Sequence, residues 1–144
     1  MENSRLIDDL LPPVAQRCRQ LLALAEKEGI ELIITSTFRD LECQAVLYAQ
    51  GRTAPGKIVT RAKPGDSWHN WQRAFDVVVM NAGKPVWNMR NVADRARWFH
   101  VGYLGKQIGL EWGGDFPNFP DYVHFQDRLG RTLYGLKKEA GLIK

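Results

Sequence analysis

The chain has only three histidines, His69, His100 and His124. His69 lies in SWHNWQRAFD, seven residues before Asp76, and His124 lies in DYVHF, three residues after Asp121. Asp76 opens the apolar run VVVM, where a carboxylate is costly to desolvate unless a cation or several donors compensate it. Two imidazoles and one carboxylate are a catalytic zinc set, with three protein ligands at roughly 2.0–2.2 Å and a fourth position left for water. The interval from His69 to Asp76 lets the chain turn from loop into strand. His124 joins them if its strand neighbours that of Asp76. The pattern alone leaves a second reading open, in which two unrelated histidines are hydrogen-bonded in a core and Asp76 is a strand-edge residue. A zinc hydrolase also needs a carboxylate near the activated water, and Asp121 is placed to supply it. In a straight strand Asp121 and His124 face opposite sides, so this role requires a turn or bulge, which Pro117 and Pro120 favour.

The elements that position these residues follow from periodicity. A helix begins at Pro12-Pro13, turns Val14, Cys18, Leu21 and Ala25 to the core, and stops at Gly29. Ile30 to Phe38 is β-branched and reads as a buried strand. Asp40 caps a short helix with Leu41, Ala45 and Tyr48 aligned, ending at Gly51, and Arg39 falls at the junction. Residues 51–67, GRTAPGKIVTRAKPGDS, form a long loop of the kind that is often functional. Phe75 to Met80 is a strand returned by Asn81 to Lys84 through Pro85-Val86-Trp87 as a hairpin. Asn91 caps a long helix with an apolar stripe of Val92, Ala96, Phe99 and Tyr103, closed by Gly109. Leu110 to Trp112 and Tyr122 to Gln126 are short strands, and Thr132 to Ala140 is a terminal helix. The expected fold class is α+β, a small, mostly antiparallel sheet flanked by helices with the metal site at the sheet.

Length and composition, 144 residues with 44% apolar side chains, predict one domain over residues 1–144. The net charge of +4 favours anionic partners without naming one. Its basic residues are scattered and no nucleic-acid module signature is present, so nucleic acid is not the expected partner. RLIDDLLPPVAQRCRQ carries charges and prolines, so neither a signal peptide nor a membrane span is expected, and synthesis in the cytoplasm is. Cys18 and Cys43 lack metal-ligand spacing and are expected to be buried thiols.

The motifs together carry a resemblance. SWHNWQRAFD resembles the S-x-H-x-x-G-x-A-x-D signature of the zinc peptidases that cleave bacterial cell-wall peptides, the D-alanyl-D-alanine carboxypeptidases and L-alanyl-D-glutamate endopeptidases. DYVHF resembles the second signature, an acidic residue three positions before the last histidine ligand. STFRDLECQAVLYAQGRT is similar to the S-G-Y-R segment with its following glutamine and L-Y-x-x-G-R-T tail, and WGGDF fits the endopeptidase and phage-endolysin branch. The resemblance covers roughly residues 30–126 in the family's order.

Carried over position by position, the resemblance makes His69, Asp76 and His124 the Zn²⁺ ligands and Asp121 the general base. Arg39 would hold the scissile carbonyl, and Gln44 and Ser67 would line the substrate groove. Two departures stand out: Gln72 replaces the signature glycine, and Thr37-Phe38 replaces Gly-Tyr. Each role has a plainer counterpart. Arg39 could pair with an acid at a helix start, Gln44 could be a polar rim residue, and Ser67 could be a turn hydroxyl. His100, which no signature claims, is read as structural.

The implied activity is that of a monomeric, phage-type endolysin that hydrolyses the L-alanyl-D-glutamate bond of the peptidoglycan stem peptide once it reaches the wall. The alternatives are a D,D-carboxypeptidase acting on D-alanyl-D-alanine and a non-catalytic, zinc-stabilised wall-binding domain.

Overall fold

The computed structural model describes residues 1–144. Four helices, α1 (Pro12–Lys27), α2 (Leu41–Ala49), α3 (Val92–Gln107) and α4 (Leu133–Glu139), accompany five strands, β1 (Glu31–Ser36), β2 (Ala74–Asn81), β3 (Lys84–Pro85), β4 (Glu111–Trp112) and β5 (His124–Gln126). All strand pairs are antiparallel, in the order β1-β2-β5-β4, and β3 returns against the end of β2 as a hairpin. This is the α+β architecture that the periodicity predicts. No helix is long and apolar enough to cross a membrane.

Because side chains alternate along a strand, β2 serves two environments. Phe75, Val77 and Val79 enter the main core with Phe125 of β5, Val14, Cys18 and Leu21 of α1, and Trp98, Val101 and Leu104 of α3. Each such side chain, fully buried, contributes about 1.5–3 kcal/mol. Ala74 points the other way, into a small second cluster with Trp68 and Leu136. Asp76 shares that second face by alternation. Val77 and Val79 of the apolar run after it therefore fill the core while the carboxylate itself stays out of it.

α1 buries Val14, Cys18, Leu21 and Ala25 as its period demands. Two other helices turn a different face inward than their apolar spacing suggests. In α3 the expected stripe is exposed, with Val92 84%, Phe99 40% and Tyr103 52% accessible, and the buried face is Trp98, Val101, Gly102, Leu104 and Gly105. The reason is close approach: a Cβ on Gly102 would lie 2.4 Å from the Trp112 ring, and one on Gly105 would lie 2.4 Å from Phe125. Glycines that admit flat rings count as polar gaps in a hydrophobic pattern, so the true face is invisible to it. In α2, Ala45 is exposed and the buried pair is Cys43 and Gln44. There a polar side chain occupies the inward position because the fold supplies partners for its amide.

The expected strand over Tyr122–Gln126 is shorter, since residues 121–123 form a turn before β5 begins at His124. A register shift between Ile34 and Ser36 marks a bulge in β1, after which Ser36 pairs with Asp76. Both irregularities lie beside the histidines and the aspartate.

Gly102→Ala is expected to lower stability by about 1–3 kcal/mol through overpacking against Trp112, despite alanine's higher helix propensity. Urea unfolding measures this; an unchanged or raised midpoint would show that the contact yields.

Candidate metal centre

Asp76 and His124 are direct cross-strand partners of β2 and β5. His69 reaches them from a single 3-10 turn, Trp68–Trp71, whose start is capped by the Ser67 hydroxyl accepting from the His69 N–H at 3.3 Å. That turn is fastened to the junction between β1 and α2: the Arg39 N–H donates to the His69 carbonyl at 3.1 Å, and the Asn70 amide donates to the Arg39 carbonyl at 2.9 Å. At its far end Gln72 adopts φ 59°, ψ 28°, the left-handed conformation that the signature glycine would take without strain. Its side-chain amide donates to the Asp9 carbonyl at 2.7 Å. The turn thus keeps its path with a non-glycine residue, at a conformational cost of roughly 1–2 kcal/mol that this bond helps offset.

The ring nitrogens are assigned by their partners. His69 Nδ1 lies 2.8 Å from the Thr37 carbonyl, which can only accept, so Nδ1 carries the proton and Nε2 the lone pair. The Gln126 amide nitrogen donates to Glu111 Oε2 at 2.8 Å, so its oxygen accepts from His124 Nε2 at 2.7 Å and leaves the lone pair on His124 Nδ1. Those two lone-pair nitrogens lie 3.1 and 3.2 Å from the same atom, Asp76 Oδ1. All three ligand atoms fall within 4.8 Å of one another. His69 and His124 are 3% and 8% exposed.

Three acceptors facing one another under cover repel unless positive charge lies among them. Two imidazolium protons would supply it, and so would one divalent cation. Zinc bonds of roughly 2.0–2.1 Å in tetrahedral array space their donors about 3.3 Å apart, close to the 3.1 and 3.2 Å between each nitrogen and the Asp76 oxygen. Two nitrogens and one carboxylate oxygen, each nitrogen's ring held from behind, are the chemistry of a zinc centre. The residues fit the group. Burial by itself would raise the Asp76 carboxyl, but the charges and hydrogen bonds of His69 and His124 outweigh it and hold the group far below the usual carboxylate range. Burial would lower the His124 imidazole, and Asp76 more than reverses this.

Asp121 stands on the turn that precedes β5. Its N–H donates to the Gly113 carbonyl at 2.8 Å, and its carbonyl accepts from the His124 N–H at 3.2 Å. This fold-back supplies the turn that DYVHF needs to bring both side chains to one groove, which Asp121, His124, His69, Asp76, Arg39 and Ser67 all line. Gly113 allows it, because a Cβ there would lie 2.3 Å from the Asp121 carbonyl. Burial is the main cause raising the Asp121 carboxyl above its ordinary value, with His124 opposing and Asp76 adding to the rise. A carboxyl so placed is a stronger proton acceptor than a surface aspartate.

Arg39 has no acidic partner. Its guanidinium donates to Gln44 Oε1 at 3.0 Å and to Ser36 Oγ at 3.4 Å, while its Nε–H is buried and unpaired. Gln44 does not line the groove. It is fully buried, and its amide nitrogen donates to the Ala62 carbonyl at 2.8 Å, so it joins Arg39 to the 51–67 loop. His100 lies outside the groove, 3.5 Å from Glu28 across the α1 and α3 pair. Thr37 is buried with its hydroxyl donating to the Leu6 carbonyl at 2.8 Å, while its own carbonyl holds His69. The residues that pattern reading misses are those behind the ligands: Gln126, Glu111 and Arg128, the last paired with Glu111 at 2.9 Å. The alternation His124-Phe125-Gln126 is the available signal, since it puts the glutamine on the histidine's face.

Gln126→Leu removes the acceptor that orients His124 and is expected to weaken divalent-metal affinity about 10–100-fold. Chelator competition measures it, and unchanged affinity would mean that Gln126 does not support the site.

A profile of the D-alanyl-D-alanine carboxypeptidase family matches residues 60–127, which include all three candidate ligands and Asp121. The chain is 40% identical over 122 residues to the peptidoglycan L-alanyl-D-glutamate endopeptidase CwlK of Bacillus subtilis (strain 168), covering 82% of this chain and 73% of that protein. It is 34% identical over 109 residues to the L-alanyl-D-glutamate peptidase of Listeria phage A118, covering 75% of this chain and 34% of the phage protein. Among solved structures, the L-Ala D-Glu endopeptidase ChiX of Serratia marcescens superposes with a TM-score of 0.61 at 18% identity, covering 83% and 81% of the two chains. The VanB-type D,D-pentapeptidase VanY, solved in complex with Zn(II), superposes with a TM-score of 0.59 at 14% identity, covering 88% and 78%. With the profile spanning the candidate centre and a relative at 40% identity over most of both chains, the protein belongs to the family of D-alanyl-D-alanine carboxypeptidases and L-alanyl-D-glutamate endopeptidases.

Proposed function

We propose that this chain is a zinc-dependent peptidoglycan hydrolase that cleaves the stem peptide between L-alanine and D-glutamate, acting as an endolysin once it reaches the wall. The observation that carries the reading is the convergence of the His69 and His124 lone pairs on Asp76 Oδ1, at 3.1 and 3.2 Å, in the groove that Asp121 also lines. The names of the two sequence relatives, both L-alanyl-D-glutamate peptidases, support the choice of bond.

His69 Nε2, Asp76 Oδ1 and His124 Nδ1 would hold the ion, which when bound would supply Lewis-acid chemistry at the water and the scissile carbonyl. The Asp121 carboxylate takes the proton of the attacking water and delivers it to the departing amine of D-glutamate. Arg39 turns its guanidinium toward the carbonyl oxygen on which negative charge develops, and Gln44 fixes that guanidinium from behind. Ser67 forms part of the groove wall and holds the turn that carries His69.

Asp121→Asn is expected to retain zinc and lose activity by about 10²–10⁴-fold. His124→Ala is expected to lose both. Digestion of purified peptidoglycan, with mass spectrometry of the released fragments, reads the bond: new D-glutamyl amino termini support the proposal. Release of terminal D-alanine would instead assign the D,D-carboxypeptidase activity, and an Asp121→Asn protein with undiminished lysis would remove the base assignment.

A further inference from the structure

We propose that Arg61 is a specificity-determining residue which receives the free carboxylate of the glutamate on the amine side of the scissile bond. The inference rests on the L-alanyl-D-glutamate reading above. A glutamate joined through its amine has two carboxyl groups, and the onward peptide uses only one. The other remains as a carboxylate within a few bonds of the nitrogen that departs.

The groove has two facing walls, the 58–62 segment and the 116–121 segment. Arg61 and Phe119 meet between them, with the guanidinium carbon 3.3 Å from the ring centroid. Neither wall is loose. Gln44 donates to the Ala62 carbonyl at 2.8 Å and Arg52 to the Thr60 carbonyl at 3.1 Å, and the turn after Phe119 is tied to Gly113 through the Asp121 N–H at 2.8 Å.

Three arginines line the groove, and their charges are not equivalent. Arg128 is paired with Glu111 at 2.9 Å, and Arg39 is bonded to Gln44 and Ser36. Arg61 forms neither an ion pair nor a hydrogen bond within the protein. Its stack on Phe119 uses the flat face of the guanidinium, which fixes the plane at small entropic cost and leaves the N–H edges free. Edges so presented match a carboxylate in a two-bond fork, which a primary amide cannot match. Phe119 precedes Asp121 by two residues, so the fork, carried by the 58–62 wall, rests against the wall that carries the proposed base. None of the groove's three acids pairs with this charge: Asp66 is bound to Lys137 at 2.6 Å, Asp76 faces the imidazoles, and the charges that act on Asp121 are those of His124, Asp76, His69 and Arg39.

The test compares two peptides spanning the L-alanyl-D-glutamate bond, identical except that the remaining glutamate carboxylate is free in one and a primary amide in the other. Wild-type zinc-loaded protein is expected to prefer the free form by about 10–100-fold in kcat/KM, mainly through KM, the scale of a charge-assisted bond pair. Arg61→Ala is expected to bring the free peptide down to the level of the amide and to leave the amide itself unchanged, with zinc content and melting temperature unaltered. Arg61→Lys should recover part of the preference. A preference that survives in Arg61→Ala, or an equal loss on both peptides, overturns the assignment. Wild-type protein that leaves both peptides intact while releasing terminal D-alanine overturns the assigned bond itself, an outcome distinct from cleaving both without discrimination.

Discussion

Two imidazole lone pairs and a carboxylate oxygen, aimed at one another in a covered groove, cannot coexist without a positive charge among them. The electrostatic demand is large, because desolvated acceptors at about 3 Å repel strongly in a medium of low dielectric constant. Much of the local backbone enforces this meeting. The bulge in β1 brings Ser36 opposite Asp76, the 3-10 turn carries His69 across to it, and the turn before β5 starts the strand at His124. Each histidine is then locked by a hydrogen bond on its far nitrogen, so that neither ring can rotate its lone pair away without loss. Such locking is worthwhile only if the converging atoms have something to hold.

The sheet makes the arrangement possible by separating its two faces. The side packed on α1 and α3 carries stability, with Phe75, Val77, Val79 and Phe125 fully buried there. The opposite side carries the chemistry and only a small apolar cluster around Trp68, Ala74 and Leu136. A polar constellation costs less on a face that need not fill a core. Rigidity nonetheless reaches it, because the residues that bear the ligands alternate with the residues that anchor the strands. This is how a short chain holds strained features such as the left-handed Gln72 at the foot of the His69 turn.

Much of this arrangement is legible in the amino-acid order. α1 and the β2–β3 hairpin follow from spacing and residue chemistry, whereas for the three candidate ligands the spacing leaves a second reading open and the motif resemblance makes the assignment. What escapes is whatever depends on contacts between distant segments. The inward face of α3 is defined by Gly102 and Gly105 because aromatic rings from β4 and β5 lie on them, and no local pattern announces that. Gln44 reads as a rim residue or groove lining on a helix, yet it is buried, since Arg39 and the Ala62 carbonyl satisfy its amide. Gln72 looks like a loss of the signature glycine, and only its backbone angles reveal that the turn survives. Gln126 and Glu111 support His124 from behind, and their roles emerge only once β4 lies beside β5.

The central claim is that one divalent cation joins the three converging donors, and X-ray absorption at the zinc edge of the stoichiometrically loaded protein examines it most directly. One zinc per chain, bound by two imidazole nitrogens and a carboxylate oxygen at roughly 2.0–2.2 Å, is the expected result. A spectrum with sulfur ligands from Cys18 or Cys43, or protein that takes up no zinc while remaining folded, would contradict it.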